Sequence, residues 1–232
     1  MLPDFIGRET GNRRKKEEVT DMKEVLFYGD SNTWGLVPGS APQTRFPWGV
    51  RWTSIVQEES KGQIHAIEEG LCGRTSVFED GHRPGRRGLS TLPAVLGNQK
   101  TIECAVLMLG TNDCKSLYNA SAESIGKGVE LCLSELEKHL PSDRILLASP
   151  IYLGDDVWHD DKDPEFDQAS VKRSHELKDV YRKIAKAHGS AFVAASDYVE
   201  PSHIDEEHLD EQGHAAFAGV ILGKLREMRV IA

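Results

Sequence analysis

Four short segments carry residue types that can do chemistry together. Gly29-Asp30-Ser31-Asn32-Thr33-Trp34-Gly35 places a serine hydroxyl just after an apolar run, where a strand-to-helix turn can present it to a crevice. Gly29 permits the sharp approach such a turn needs. Asp205 and His208 stand three residues apart near the end of the chain. That spacing lets a carboxylate hold one imidazole nitrogen while the other faces a serine. Asn112, in Gly110-Thr111-Asn112-Asp113, has an amide able to donate to a developing oxyanion. Gly73, in Glu69-Gly70-Leu71-Cys72-Gly73-Arg74-Thr75, would offer a backbone N–H with no side chain over it. Each segment also has a plainer reading when taken alone. Ser31 can be a helix cap, the Asn112 segment an Asn-Asp turn, Gly73 a turn glycine, and the Asp205–His208 stretch a solvated acidic loop.

The elements around these residues decide whether they can meet. Continuous apolar runs at Glu24–Tyr28, Gln63–Leu71, Cys104–Leu109, Arg144–Ala148 and Ala191–Ala195 predict five strands, covered on both faces as in a parallel sheet. Helical patterns fill the gaps at Trp52–Ser60, Ser90–Leu96, Ser121–Leu140, Gln168–His188 and Gly213–Met228. Strands alternating with helices imply right-handed crossovers and a three-layer α/β/α sandwich. In such sheets functional groups gather where strands end at their carboxyl edges. Ser31, Gly73 and Asn112 each follow a predicted strand.

Bulk properties narrow the function classes. The chain has 232 residues, enough for one domain with a substantial core, and 39% of them are hydrophobic. The net charge of −9 disfavours nonspecific contact with nucleic acid or an anionic membrane surface. No apolar run approaches a membrane span in length. Residues 1–22 are polar and charge-mixed, have no signal-peptide core, and are expected to be a flexible tail before a domain at 23–232. Met22 is a candidate alternative start. Cys72, Cys104, Cys114 and Cys132 form no C-x-x-C pair, so no metal or redox motif is supported, and Cys104 and Cys132 read as small buried hydrophobes. A cytoplasmic location is the default expectation.

Taken together, the four segments resemble the SGNH (GDSL-type) hydrolase family, whose blocks are a GDS serine, a glycine, a G-x-N-D asparagine and a D-x-x-H pair in that chain order. Here they stand as GDSNTWG, EGLCGRT, GTND and DEEH, and the resemblance spans essentially all of residues 23–232. The wider phrases RWTSIVQ, EEGLCGRT and MLGTND look most like the bacterial arylesterase and acyltransferase branch. The resemblance implies a flavodoxin-like five-stranded sandwich with Ser31 as nucleophile, His208 as general base and then acid, and Asp205 orienting His208. It also implies an oxyanion hole from the Ser31 and Gly73 N–H groups and the Asn112 side chain. Water or an alcohol would release the acyl group, with no cofactor and no metal. The implied partner is a small aryl or short-chain ester, with an acetylated carbohydrate as the close alternative, and the branch suggests a homo-oligomer. A reading of another class, a noncatalytic flavodoxin-like binding module, would want a phosphate cradle after the first strand, and GDSNTWG contains neither usual glycine pattern.

Several neighbouring residues invite other assignments. His203 and His214 flank the Asp205–His208 pair, but Gly213 follows His208 by five residues, the family spacing, which selects His208. The commonest family form has glycine after the aspartate. Here Glu206 and Glu207 intervene, and two extra carboxylates should favour the protonated imidazole and push activity to higher pH. Asp113 reads as an anchor for its turn. The acidic stretch 155–167 reads as a solvated loop over the site edge rather than a hard-metal site, with Trp158 and Phe166 as candidate pocket walls. Trp34, three residues beyond Ser31, is a candidate substrate contact, with core packing as its plainer role.

Overall fold

Side chains along the first strand, β1 (Lys23–Gly29), divide between two cores. Leu26 and Tyr28 enter one hydrophobic cluster, Val25 and Phe27 the other. That period-2 division, apolar on both faces, is what a strand covered by helices on each side requires. The computed structural model describes residues 22–98 and 101–232. The predicted tail therefore lies outside the described residues, apart from Met22.

The chain continues through α1 (Ser31–Trp34), α2 (Trp52–Glu59), β2 (Ile64–Gly70), α3 (Gly88–Asn98), β3 (Cys104–Met108), α4 (Ala122–Glu137), β4 (Ile145–Ser149), α5 (Gln168–His188), β5 (Ala191–Ala194) and α6 (Glu211–Glu227). The five strands form one parallel sheet in the order β2-β1-β3-β4-β5. One cluster joins buried residues of α3, α4 and α5 to the sheet, and the other joins those of α2 and α6. This is the expected α/β/α sandwich.

Local chemistry fixes the ends. Asp167 closes a capping box with Ser170 at the start of α5, and Gly189, at φ 74°, ends it in the left-handed region. Asp210 caps α6 by accepting from Gly213 N–H at 2.7 Å. α3 is longer than its apolar pattern suggested, running from Gly88 and carrying Pro93 within it.

The carboxyl edge of the sheet is shaped by two glycines. Gly29 and Gly70 are register partners at the ends of β1 and β2. A Cβ on Gly70 would lie 2.2 Å from the Trp34 backbone nitrogen, and one on Gly29 would lie 2.1 Å from Thr33 Oγ1. Only glycine at both positions lets α1 settle directly on the strand ends, and that descent places Ser31 at the sheet edge.

Candidate active site

Ser31 is the first residue of α1. Asp30 caps this turn, its Oδ1 accepting from Asn32 N–H at 3.0 Å. The serine is 3% exposed, and its Oγ lies 2.8 Å from Nε2 of His208. The opposite ring nitrogen, Nδ1, lies 2.9 Å from Oδ2 of Asp205. Asp205 is held in turn: its Oδ1 accepts from His208 N–H at 3.0 Å and Glu207 N–H at 3.2 Å, and its Oδ2 accepts from Gly39 N–H at 2.9 Å. A carboxylate, an imidazole and a hydroxyl thus form one hydrogen-bonded chain that can move a proton off the hydroxyl.

The loop bearing His208 is anchored to the serine turn by Asn32. Its Nδ2 donates to Glu207 O at 3.2 Å, and its Oδ1 accepts from Leu209 N–H at 2.9 Å. Asn32 is thus a further functional residue of the site, and an asparagine beside the serine is its visible signal in the sequence.

Two further donors face the same space. Asn112 sits in a turn just beyond β3, buried, with Nδ2 donating to Arg74 O at 3.2 Å. A primary amide has a second hydrogen, and Asn112 lines the cavity at Ser31. Gly73 follows β2 at φ 79° and lines that cavity too. Among the described residues the Ser31 and Gly73 N–H groups have no hydrogen-bond partner. Asp113 turns away from the site, its carboxylate accepting from the Ser76 N–H at 2.9 Å and from the Ser76 hydroxyl. It anchors the 72–76 turn, and burial pushes its pKa up to about 6.

Two adjoining cavities open at His208. The smaller, about 70 Å³, holds Ser31, Gly73 and Asn112, together with Cys72, Arg83 and Lys115. The larger, about 330 Å³, lies toward Gly39, Ser40, Ala41 and Asp161–Asp163. Leu36, Gln43, Asp163, Glu207 and His208 line both. Lys115, buried, and Arg83 are both tied to Glu165. Cys72 is no competing nucleophile, since burial pushes its thiol up to about 11.

The electrostatics centre on Glu207 and His208. Glu207 is 5% exposed, and its Oε1 lies 3.8 Å from His208 Nε2. Burial raises the Glu207 carboxyl above its usual range; His208 and Lys115 pull it back, while Asp163 and Asp205 add to the rise. Burial works against a charged His208 ring, but Glu207 and Asp205 outweigh it and hold the imidazole above its ordinary value. Burial would also raise Asp205, yet its hydrogen bonds and the His208 charge keep it below the usual carboxylate value. The sequence pattern put two extra carboxylates beside the imidazole; the structure puts one there. Glu206 adopts φ 57° and turns outward to Lys162, also accepting from Asp156 N–H at 2.7 Å.

Other expected contacts fall elsewhere. Trp34 lines neither cavity: its backbone covers Gly70, and the Arg45 guanidinium lies over its ring at 5.5 Å. Phe166 is buried in the core, and Trp158 packs against the same cluster. The acidic loop contributes Asp161 and Asp163 to the cavities instead. Among the described residues no group of three or more His, Cys, Asp or Glu side chains is arranged to hold a metal ion. His214 is fully buried, its Nδ1 accepting from Trp52 N–H at 3.3 Å, and burial pushes its pKa down to about 4. Among the described residues no helix is long and apolar enough to cross a membrane.

Known proteins share this architecture. The aryl esterase of M. smegmatis superposes with a TM-score of 0.80 at 27% identity, covering 89% of this chain and 99% of its own. The carbohydrate acetylesterase Est24 of Sinorhizobium meliloti gives 0.79 at 28% identity, over 89% and 99% of the two chains. A carbohydrate acetylesterase family member from the same organism gives 0.79 at 30% identity, again over 89% and 99%. No curated protein matches the chain. Residues 27–216 match the GDSL-like lipase/acylhydrolase family, from β1 to the first turns of α6 and through every segment of the site. With its carboxyl-edge serine, its five-stranded parallel sheet and its esterase neighbours, this chain is an esterase belonging to the GDSL-like lipase/acylhydrolase family.

Proposed function

We propose that this esterase cleaves small carboxylic esters through an acyl-enzyme on Ser31. The observation that carries the reading is the continuous chain from Ser31 Oγ through His208 to Asp205, with contacts of 2.8 and 2.9 Å. His208 Nε2 takes the serine proton as Oγ attacks the ester carbonyl, then gives it to the leaving alcohol. Asp205 holds Nδ1 and stabilises the imidazolium. The Ser31 and Gly73 N–H groups and the second Asn112 amide hydrogen receive the oxyanion. Water, or an acceptor alcohol, then releases the acyl group by the reverse sequence.

The size of the two cavities supports a short acyl group. The one holding the oxyanion donors is about 70 Å³, well below the volume of about 300 Å³ at which drug-sized ligand pockets begin. The larger cavity, which lacks Ser31, Gly73 and Asn112, is suited to the alcohol portion. Its Ser40, Gln43, Asp161, Asp163 and Glu207 walls offer many hydrogen-bonding groups. That lining favours acetyl esters of hydroxyl-rich alcohols, such as carbohydrates, as the second reading beside aryl esters.

The test is a panel of p-nitrophenyl esters of increasing acyl length and of acetylated sugars, with intact-mass detection of a Ser31 adduct from an organophosphorus probe. Activity falling steeply beyond short acyl chains, with one adduct on Ser31, is the expected result. Full activity with Ser31 unlabelled would refute the mechanism.

A further inference from the structure

Glu207 is a buried carboxylic acid that the acyl-transfer steps above do not use. It is 5% exposed, and its side chain makes no hydrogen bond within the described residues. A buried acid is normally hydrogen-bonded, so one left open toward a cavity signals a ligand on the cavity side. Its backbone is fixed: the N–H donates to Asp205 and the carbonyl accepts from Asn32. Glu207 stands on the wall shared by the two cavities, with Oε1 3.8 Å from the nitrogen that would activate the second nucleophile.

We propose that Glu207 is the second anchor for the water that hydrolyses the acyl-enzyme, and that it biases deacylation toward water over alcohols. The proposal rests on the acyl-enzyme reading of Ser31. His208 Nε2 and Glu207 Oε1 are 3.8 Å apart, close enough for one oxygen atom on the cavity side to stand within hydrogen-bond reach of both. Water has two hydrogens. One goes to Nε2 as the oxygen attacks the acyl carbonyl carbon, and the other is held by the Glu207 carboxylate. The new C–O bond forms, the C–Oγ bond to Ser31 breaks, Nε2 returns its proton to Oγ, and the free carboxylic acid leaves. An alcohol has only one hydroxyl hydrogen. Once that points at Nε2, the alcohol can turn only a lone pair or its carbon chain toward Glu207, which a buried carboxylate opposes.

The charged groups around Glu207 set when it can act. His208 and Asp205 belong to its own loop, Lys115 comes from the turn after β3, Asp163 from the acidic loop and Arg83 from the loop after β2. Lys115 and Arg83 are both hydrogen-bonded to Glu165, so neither donates to the Glu207 carboxyl, although the Lys115 charge still favours its ionised form. The bias toward water belongs to ionised Glu207, and the alcohol share of product falls as pH rises.

The experiment measures free acid and transesterified product from a short-chain ester with a fixed amount of a primary alcohol, for the native protein, E207L and E207Q. E207L cannot accept a hydrogen bond, and the alcohol-to-water product ratio is expected to rise about tenfold, the worth of one hydrogen bond to a charged group. E207Q keeps the shape and one accepting oxygen, so its shift is smaller and its ratio becomes independent of pH. If Glu207 only tunes the charge on His208, both acceptors change together and the ratio stays fixed. A ratio within about twofold of native in E207L that still forms the Ser31 adduct would overturn the assignment of Glu207 alone. Should E207L not fold, a native-like pH trend in the E207Q ratio does the same. Absence of any Ser31 adduct in the native protein would overturn the acyl-enzyme reading, and this one with it.

Discussion

Asn32 holds Leu209 across the site: the Asn32 Oδ1 accepts the Leu209 N–H at 2.9 Å while its Nδ2 reaches the neighbouring Glu207 carbonyl at 3.2 Å. His208 lies between those two backbone groups. One side chain, adjacent to Ser31, therefore sets how far the imidazole stands from the hydroxyl. Asn32→Ala leaves a buried N–H and a buried carbonyl unpaired, costing about 1–3 kcal/mol of stability. It also frees the loop, so kcat should fall by at least tenfold with KM little changed, since small misplacements of a reacting pair are expensive. Thermal unfolding and steady-state kinetics on the same preparation test both parts, and native kcat in a destabilised variant would reduce Asn32 to a purely structural contact.

The two histidines of the C-terminal segment can be separated by substitution. His208→Ala should lose several orders of magnitude in kcat, because in the proposed mechanism one ring serves as base and then as acid. Ser31→Ala should lose activity to a similar extent with an intact fold. His214→Ala removes the acceptor of the Trp52 N–H and a ring packed edge-on to Phe46, so it should cost about 1–3 kcal/mol of stability. At matched folded fraction, checked by circular dichroism, its kcat should stay near native. An inactive, folded His214→Ala beside an active His208→Ala would reverse the assignment.

Residue type and spacing made the sheet and its crossovers legible, because strands buried on both faces must be apolar throughout. Gln168–His188 could be bounded to the residue, since Asp167 and Gly189 mark its ends chemically. The meeting of Ser31 with His208 was implied by the family resemblance of the four motifs, and the two side chains stand 2.8 Å apart. Other features were set by backbone conformation that composition does not encode. Glu206 and Glu207 are identical neighbours, yet the left-handed conformation of Glu206 sends one to Lys162 and leaves the other facing His208. Trp34 stands one helical turn from Ser31, which suggested a shared pocket, but α1 sits so close on Gly70 that the indole is directed to Arg45. Arg83 and Lys115 reach the cavity through a common ion pair with Glu165, a long-range arrangement with no local signature.

Asn112→Ala should lower kcat by roughly a hundredfold to a thousandfold, the usual cost of one oxyanion donor, with KM changed less. The structure adds a second consequence. Asn112 Nδ2 also bonds the Arg74 carbonyl, so the substitution loosens the turn that presents the Gly73 N–H. The loss should therefore fall toward the upper end of that range. Single-turnover acylation by a p-nitrophenyl ester isolates the step, and an unchanged acylation rate would remove Asn112 from the oxyanion hole.

In the proposed mechanism His208 takes the Ser31 proton only when Nε2 is unprotonated, so acylation should follow the neutral fraction of the ring. Glu207 and Asp205 hold the imidazole above its ordinary value of 6.5 despite burial, which makes the free enzyme more protonated near neutrality. The kcat/KM profile should consequently rise with pH along a limb displaced upward from that of an unperturbed histidine. Glu207→Gln removes the largest carboxylate influence on the ring while keeping the side-chain volume, and it leaves Asp205 and the more weakly acting Asp30 in place. The charged ring loses a stabilising neighbour, its pKa falls, and the limb should move to lower pH. Activity at mildly acidic pH should then increase relative to the plateau, even though the variant's product ratio with an added alcohol changes as well. Acylation rates measured across roughly pH 5 to 10 decide it. A limb that stays in place, or moves upward, would mean that the Glu207 charge does not reach His208, leaving the upward displacement to Asp205 and Asp30.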